Sequence, residues 1–304
     1  MRRAVILTLL AALFEAGCGV VYRAGIKLYY KPASIDAGRV VRDVPYVAGS
    51  TDPLQQLNFF KPSQANFPVV IFIHGGNWDS GDKDYRFGGQ DIYNNIGRFF
   101  AAHGIGCANI SYRLIPNVDW RTQAGDALQA VAWTHAHAAD YGGDPERLFV
   151  MGHSAGAQLA VRTVLDRATL ERAGVPARAI RGVIGVAGAG YDMADAETAA
   201  LGADPEWYAK RFRLGPDDTG WRSSASPIQF VDRAAPPALF VHAGGESAAL
   251  IRQSRLMRDA WVRAGAAADL VVAPGLSHTR IVPTLSREDR PAGAAVLNFI
   301  RQHS

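Results

Sequence analysis

One serine of this 304-residue chain stands among small residues in a pattern that suits a nucleophile. Ser154 is the centre of Gly152-His153-Ser154-Ala155-Gly156, which directly follows the apolar run Leu148–Met151. A sharp turn from a strand into a helix needs small neighbours, and it lifts the serine hydroxyl above the strand ends. The helix that opens there offers backbone N–H groups and the positive end of its dipole. The pattern predicts a serine that attacks a carbonyl carbon.

A serine hydroxyl needs a base, and the base needs an acid to orient it. Among eight histidines we predict His278, which follows the last apolar run, Leu270–Val272. Parallel strands bring their carboxyl ends to one edge of a sheet, so Ser154 and His278 would meet there. Glu246 is the only carboxylate in the loop after Ala238–His242, and we predict it as the acid. The chain order is then serine, acid, histidine.

A second glycine motif, His74-Gly75-Gly76-Asn77-Trp78, directly follows the apolar run Val69–Ile73. Adjacent glycines let the backbone approach a substrate closely. We predict an oxyanion hole, a set of backbone donors for the negative oxygen that forms when the serine attacks. Its candidate N–H groups are those of Gly75, Gly76, Asn77 and Ala155. His74 is expected to organise this loop by hydrogen bonding.

The elements that must position these residues alternate between strand-like and helix-like patterns. Short apolar runs without polar alternation are typical of strands buried on both faces of a parallel sheet. We predict such strands at Val69–Ile73, Gly106–Tyr112, Leu148–Met151, Val183–Val186, Ala238–Val241 and Leu270–Val272. Helical patterns cover Tyr93–His103, Thr122–Asp140, Ala155–Glu171, Ser247–Ala264 and Ala292–Gln302. An antiparallel edge is expected from Val40–Val47 and Leu54–Phe60. The fold class is therefore α/β, a doubly wound and mostly parallel sheet flanked by helices.

One segment, residues 191–226, interrupts this rhythm. It has no clear strand and is rich in Trp, Asp and Gly. Long irregular inserts between strands often cover a site, so we predict a small cap, with an ordinary surface excursion as the alternative. The predicted substrate pocket consists of Tyr191, Trp78 and His153.

The first residues have the pattern of an export signal. Arg2 and Arg3 precede the apolar stretch 4–14, which is shorter than the roughly 20 residues that span a bilayer. Cys18 follows Ala16-Gly17, and this resembles a bacterial lipobox, although Glu15 stands where leucine is usual. We expect a signal peptide at 1–17, a tether at 18–38, and a catalytic domain at 39–304. The protein would be exported and anchored at the periplasmic side of a membrane through a lipid on Cys18, or else be periplasmic or secreted.

Composition excludes several other classes. The net charge is +4 and the basic residues are scattered, which does not favour a nucleic-acid partner. The chain is 48% apolar and 20% charged, so it is not disordered. Its two cysteines cannot build a disulfide scaffold. With Cys18 acylated, Cys107 stands alone, and we expect it to be a small core residue.

Taken together, these motifs resemble the α/β-hydrolase superfamily, in the branch with an HGG-x-W motif. That branch includes hormone-sensitive-lipase-like esterases, feruloyl and acetylxylan esterases, and kynurenine formamidase. The resemblance extends over about residues 68–281 and includes Ser226-Pro227, Gln253-Ser254 and Gly275-Leu276-Ser277-His278. It implies ester hydrolysis through an acylated Ser154, a small-molecule ester as partner, and no metal or cofactor. The usual acid of the family is aspartate, whereas this chain has Glu246.

Three hypotheses remain open at this point. The first is a serine carboxylesterase. The second is an amidase acting on N-formylkynurenine, which the motifs permit but the apparent export signal disfavours. The third is a catalytically silent lipoprotein that uses the fold for binding. The sequence fixes neither the acyl and alcohol groups nor the oligomeric state.

Overall fold

A central sheet of eight strands organises the structure, a computed structural model that describes residues 28–304. Its strands are β1 (Val40–Pro45), β2 (Gln56–Phe60), β3 (Phe67–Ile73), β6 (Gly106–Ile110), β7 (Gly143–His153), β8 (Ile180–Val186), β9 (Ala238–Ala243) and β10 (Ala268–Ala273). Their order across the sheet is β1-β2-β6-β3-β7-β8-β9-β10. A separate hairpin pairs β4 (Arg86–Phe87) with β5 (Gln90–Asp91). Strand β2 is antiparallel to both its neighbours, β1 and β6, and all later pairings are parallel. The predicted mostly parallel α/β sheet with an antiparallel start is confirmed.

Helices cover both faces of this sheet, as its two buried faces require. They are α1 (Ile92–Ala102), α2 (Trp120–His137), α3 (Ala155–Leu165), α4 (Arg167–Arg172), α5 (Ala196–Ala200), α6 (Pro205–Phe212), α7 (Trp221–Ala225), α8 (Ala248–Arg263), α9 (Ile281–Thr284) and α10 (Pro291–His303). Short 3-10 turns occur at Ala37–Arg39, Pro53–Gln55, Ala138–Tyr141, Ala177–Ala179 and Pro227–Phe230. Helices α2, α3 and α8 pack in one apolar core, while α1, α9 and α10 pack in the other. Cys107 is fully buried in the second core, as expected.

The buried strands have the composition that their position demands. Strand β3 is rich in Val and Ile, and its residues Val69–Ile73 are at most 1% exposed. Such β-branched residues fit a pleated surface that is covered on both faces. Strand β10 differs from the prediction of two buried faces, because it lies at the edge of the sheet and Val272 is 46% exposed.

The predicted helix Ala155–Glu171 is two helices in the structure. Asp166 ends α3 and begins α4, and its carboxylate accepts a hydrogen bond from the backbone N–H of Thr169 at 3.3 Å. An aspartate that binds the N–H three residues later is a helix N-cap, so it starts a new helix where the apolar pattern alone continues.

The segment 191–226 contains the three short helices α5, α6 and α7. It connects β8 to β9, and buried aromatic residues such as Phe212 and Trp221 fasten it to the core. Within residues 28–304, no helix combines the length and apolar character needed to cross a membrane. The predicted signal peptide and Cys18 lie outside the described residues.

Candidate active site

Ser154 occupies a sharp turn between β7 and α3. Its φ is +55°, in the left-handed region that disfavours a side chain, and such strain is typical of functional turns. The flanking glycines are required by contact. A Cβ on Gly152 would lie 2.1 Å from the carbonyl oxygen of Gly156, and a Cβ on Gly156 would lie 2.2 Å from that of Ile73. The small residues of the motif therefore permit the turn that holds the hydroxyl.

The structure brings Ser154, His278 and Glu246 into one chain of hydrogen bonds. His278 Nε2 lies 2.9 Å from Ser154 Oγ, and His278 Nδ1 lies 2.5 Å from Glu246 Oε1. The carboxylate can only accept, so Nδ1 carries the proton and Nε2 presents its lone pair to the serine hydroxyl. This arrangement can withdraw the serine proton and stabilise the imidazolium that results.

The acid loop is fastened to the histidine loop by backbone contacts. The N–H of Gly244 donates to Ala273 at 2.8 Å, and that of Gly245 donates to Leu276 at 2.9 Å. The Glu246 side chain is fully buried, and its Oε2 accepts the backbone N–H of Ala243 at 2.9 Å. The carboxylate is therefore held in place before any substrate binds.

Two successive carbonyls of the glycine motif are held by polar partners. The buried His74 ring contacts the Gly75 carbonyl through Nδ1 at 2.7 Å, and Ser80 Oγ donates to the Gly76 carbonyl at 2.8 Å. In a trans peptide the N–H points opposite to the C=O, so the N–H groups of Gly76 and Asn77 turn away from these partners. Among residues 28–304, neither these two groups nor the N–H of Ala155 meets a protein acceptor. These three N–H groups are therefore available to donate hydrogen bonds to a negatively charged oxygen.

Gly75 must be removed from the predicted set of donors. Its N–H donates to the hydroxyl of Tyr93, 3.2 Å away, and is no longer free. The glycine has a steric task instead, because a Cβ there would lie 2.6 Å from His153 Nδ1 and 3.2 Å from Ser154 Cβ. Its missing side chain lets the two loops of the site pack together.

His153 positions the histidine loop and does not line a pocket as predicted. The ring is 5% exposed, and its Nε2 donates to the backbone carbonyl of His278 at 3.1 Å. Burial is the main cause that lowers the pKa of His153 from 6.5 to about 3, and the repulsion that a protonated His278 would exert acts in the same direction. A neutral ring with its proton on Nε2 therefore ties the serine turn to the backbone of His278.

The other two predicted pocket residues are also covered by protein. Trp78 is 1% exposed, and its indole N–H donates to Gln158 Oε1 at 3.2 Å. It packs edge-on against Phe212 of α6, with ring centroids 5.0 Å apart. Tyr191 is fully buried and packs on Phe240. The prediction that these two rings form the surface of a pocket is corrected, because both are buried inside the protein, Trp78 against α6 and Tyr191 against β9.

Sequence reasoning missed several supporting residues. Tyr93 binds the Gly75 N–H, Gln158 binds Trp78, and Arg211 contacts the backbone of Asn77. They lie between 18 and 134 residues from their partners. No local motif marks them, because each acts through a contact that only the folded chain creates.

Among residues 28–304, no group of three or more His, Cys, Asp or Glu side chains is arranged to hold a metal ion. His135 lies 3.8 Å from Glu146, and His137 lies 2.8 Å from Asp140, as separate pairs.

The family model BD-FAE matches residues 57–261 of this chain. This range includes the glycine motif, the serine turn and Glu246, and it ends before His278.

Among curated proteins, esterase LipQ of Mycobacterium tuberculosis is 31% identical over 236 residues, which are 74% of this chain and 53% of LipQ. The isoprenylcysteine alpha-carbonyl methylesterase ICME of Arabidopsis thaliana is 27% identical over 241 residues, 75% of this chain and 54% of that protein. The chain spans about half the length of these two relatives.

Solved structures share the fold over nearly the whole chain. A truncated carbohydrate esterase from gut microbiota has a TM-score of 0.73 at 20% identity, covering 89% of this chain and 96% of that one. The thermophilic carboxylesterase EstE1, cloned from a metagenomic library, has a TM-score of 0.70 at 22% identity, covering 93% of this chain and 94% of that one.

Proposed function

This chain belongs to the BD-FAE family, within the α/β-hydrolase superfamily, and we propose that it is a serine hydrolase that cleaves carboxylic esters through an acyl-enzyme intermediate. The observation that carries the proposal is the continuous hydrogen-bond chain from Ser154 through His278 to Glu246. Relatives named as esterases and carboxylesterases support it.

In the first half of the reaction, Ser154 attacks the ester carbonyl while His278 Nε2 takes its proton. The negative oxygen that forms is stabilised by the N–H groups of Gly76, Asn77 and Ala155, which need no rearrangement at that moment. His278 then gives its proton to the leaving alcohol, and the acyl group stays on the serine.

In the second half, His278 withdraws a proton from a water molecule as that water attacks the acyl carbonyl carbon. The bond from that carbon to Ser154 Oγ then breaks, His278 returns the proton to Ser154 Oγ, and the carboxylic acid is released. Glu246 stays ionised throughout and stabilises the imidazolium in both halves. The substrate is a small-molecule ester. A binding module without activity is not favoured, because the nucleophile, base, acid and donors are all in place.

The direct test is turnover of p-nitrophenyl esters of increasing chain length, run beside a feruloyl ester and N-formylkynurenine. We expect the wild-type protein to hydrolyse at least one oxygen ester and Ser154→Ala to lose that activity by a factor of at least about 1,000. Hydrolysis of N-formylkynurenine alone would replace the esterase with the amidase hypothesis. A wild-type protein inert toward the whole panel would contradict hydrolysis of these ester classes.

We also propose export and lipid anchoring at Cys18, on the pattern of residues 1–18 alone. In a bacterial host, the wild-type protein should fractionate with membranes and incorporate a fatty-acid label, while Cys18→Ser should lose the label. Cys107→Ser is the matched control, because Cys107 is buried in the core. An unlabelled wild-type protein in the soluble periplasmic fraction would contradict lipid anchoring and support export alone. A wild-type protein found in the cytoplasm would contradict both export and lipid anchoring.

A further inference from the structure

The turn that carries two of the proposed oxyanion donors has an unusual backbone. Gly76, Asn77 and Trp78 have φ values of +130°, +55° and +64°, so three successive residues lie at positive φ. For residues with a Cβ this region is unfavourable, and it persists only where surrounding contacts impose it. The turn therefore depends on its partners.

Most of those partners belong to the body of the domain. Ser80 holds the Gly76 carbonyl, and the Trp78 carbonyl accepts from Gln123 Nε2 at 2.7 Å and from the Ile115 N–H at 3.0 Å. The carbonyl between them, that of Asn77, has a partner of a different origin. Arg211, on the cap helix α6, donates to it from Nε at 3.1 Å.

Arg211 is itself fixed from several sides. Its Nη2 forms an ion pair with Asp79, and its Nη1 donates to the carbonyl of Trp207 at 3.3 Å. Its guanidinium carbon lies 3.8 Å from the centre of the Trp207 ring, and the side chain is 16% exposed. A planar guanidinium can donate hydrogen bonds to Asn77, Asp79 and Trp207 at the same time, whereas the single nitrogen of a lysine cannot reach all three.

We propose that Arg211 is a positioning residue for the oxyanion hole. The packing of cap helix α6 then helps to fix the position of the Asn77 backbone through this side chain. This inference rests on the proposed function. With Gly76 held by Ser80 and Asn77 held by Arg211, both peptide planes that flank Asn77 are fixed. The Asn77 N–H then cannot rotate away from the developing charge. Through Arg211, the segment 191–226 thus helps to build the site.

The test compares Arg211→Met, Arg211→Lys and Arg213→Met. Arg213 is exposed, lies two residues further along the same chain segment, and its side chain has no partner among residues 28–304, so it is the matched control. On p-nitrophenyl acetate we expect Arg211→Met to lower kcat by about tenfold with KM changed less than about twofold, because a misplaced donor acts in the transition state. The kcat of Arg211→Lys should lie between those of Arg211→Met and the wild type. The kcat of Arg213→Met should equal that of the wild type.

A second readout separates a displaced donor from general damage. A trifluoromethyl ketone forms a tetrahedral adduct with the serine, and its affinity for Arg211→Met should fall by the same factor as kcat. Hydrogen exchange should accelerate in peptides covering residues 75–80 and stay unchanged in the strands of the sheet. An unchanged kcat with unchanged exchange would overturn the inference, as would equal losses in Arg213→Met.

The two proposals fail differently. An inert wild-type protein would contradict the esterase, and the exchange of residues 75–80 would still decide whether Arg211 holds the turn. If the wild type is active and Arg211→Met changes neither kcat nor the hydrogen exchange of residues 75–80, only the inference about Arg211 is contradicted.

Discussion

Glu246 uses its two carboxylate oxygens for two separate tasks, one toward His278 and one toward its own loop. Oε1 accepts from His278 Nδ1 at 2.5 Å, while Oε2 accepts from the Ala243 N–H at 2.9 Å. Because the side chain is fully buried, neither oxygen is exposed to bulk solvent. The length of glutamate thus suits a loop in which the acid must reach the histidine and still close on the end of β9.

Replacing Glu246 by glutamine should disable the histidine. An amide has one accepting oxygen and one donating nitrogen, so it can satisfy His278 or Ala243 but not both. We expect kcat for a p-nitrophenyl ester to fall by about 100- to 10,000-fold. Glu171→Gln, on an exposed residue, should keep wild-type kinetics. Near-normal kcat in Glu246→Gln would show that the carboxylate does not orient the base.

The shorter carboxylate in Glu246→Asp should cause a smaller loss. One methylene fewer lengthens the contact with His278 or with Ala243, so we expect kcat to fall by about tenfold. Its pH–rate profile, measured beside that of the wild type, should keep its shape, since a carboxylate is still present. A kcat equal to that of the wild type would mean that the loop adjusts freely, against the fixed geometry described above.

Gly75→Ala should damage the site by steric contact alone. The added Cβ would lie 2.6 Å from His153 Nδ1 and 3.2 Å from Ser154 Cβ, which forces the serine turn and the glycine loop apart. We expect kcat/KM to fall by about 100-fold or more. Gly125→Ala is the matched control, because that Cβ would meet nothing within 4 Å, and alanine is the better residue inside helix α2. The idea fails if the two variants have equal activity.

Stability should depend on pH through the buried histidines. Burial lowers the pKa of His74 from 6.5 to about 4 and that of His153 to about 3. Below pH 6.5 these two histidines bind protons in the unfolded chain, whereas in the folded protein they stay neutral until the pH approaches their lowered pKa values. The free energy of unfolding is therefore fully retained above that pH and falls toward pH 4, by up to about 1.4 kcal/mol per pH unit for each ring.

Urea unfolding at about pH 7, 6 and 5 measures this slope. His74→Gln keeps a donor near the Gly75 carbonyl but removes one titrating group, so its slope should be shallower than that of the wild type. Identical slopes would show that protonation of His74 is not coupled to folding.

The sequence predicts the sheet and the meeting of Ser154, Glu246 and His278 because both depend on local signals. Apolar runs mark the strands, and parallel strands bring the following loops to one edge. Loop position alone therefore selects His278 and Glu246. Where the apolar pattern continued past Asp166, the helix break was missed, because a capping side chain competes with the pattern.

The finer geometry depends on contacts between distant residues. The spacing of the glycine motif cannot reveal that the Gly75 N–H is taken by Tyr93. Trp78 and Tyr191 are large aromatic residues beside the motifs, a pattern typical of a pocket, yet both are buried, Trp78 against Phe212 of α6 and Tyr191 against Phe240 of β9. Arg211 stands in a segment without any motif, and only the docking of α6 brings it to Asn77.

The central claim is that the Ser154 hydroxyl is made nucleophilic by His278. A fluorophosphonate probe followed by peptide mass spectrometry tests it directly, because the probe reports the modified residue and its rate. We predict a single adduct on the peptide containing Ser154, no adduct in Ser154→Ala, and labelling slowed by at least about 100-fold in His278→Ala. Labelling of another residue, or an equal rate without the imidazole, would contradict the account.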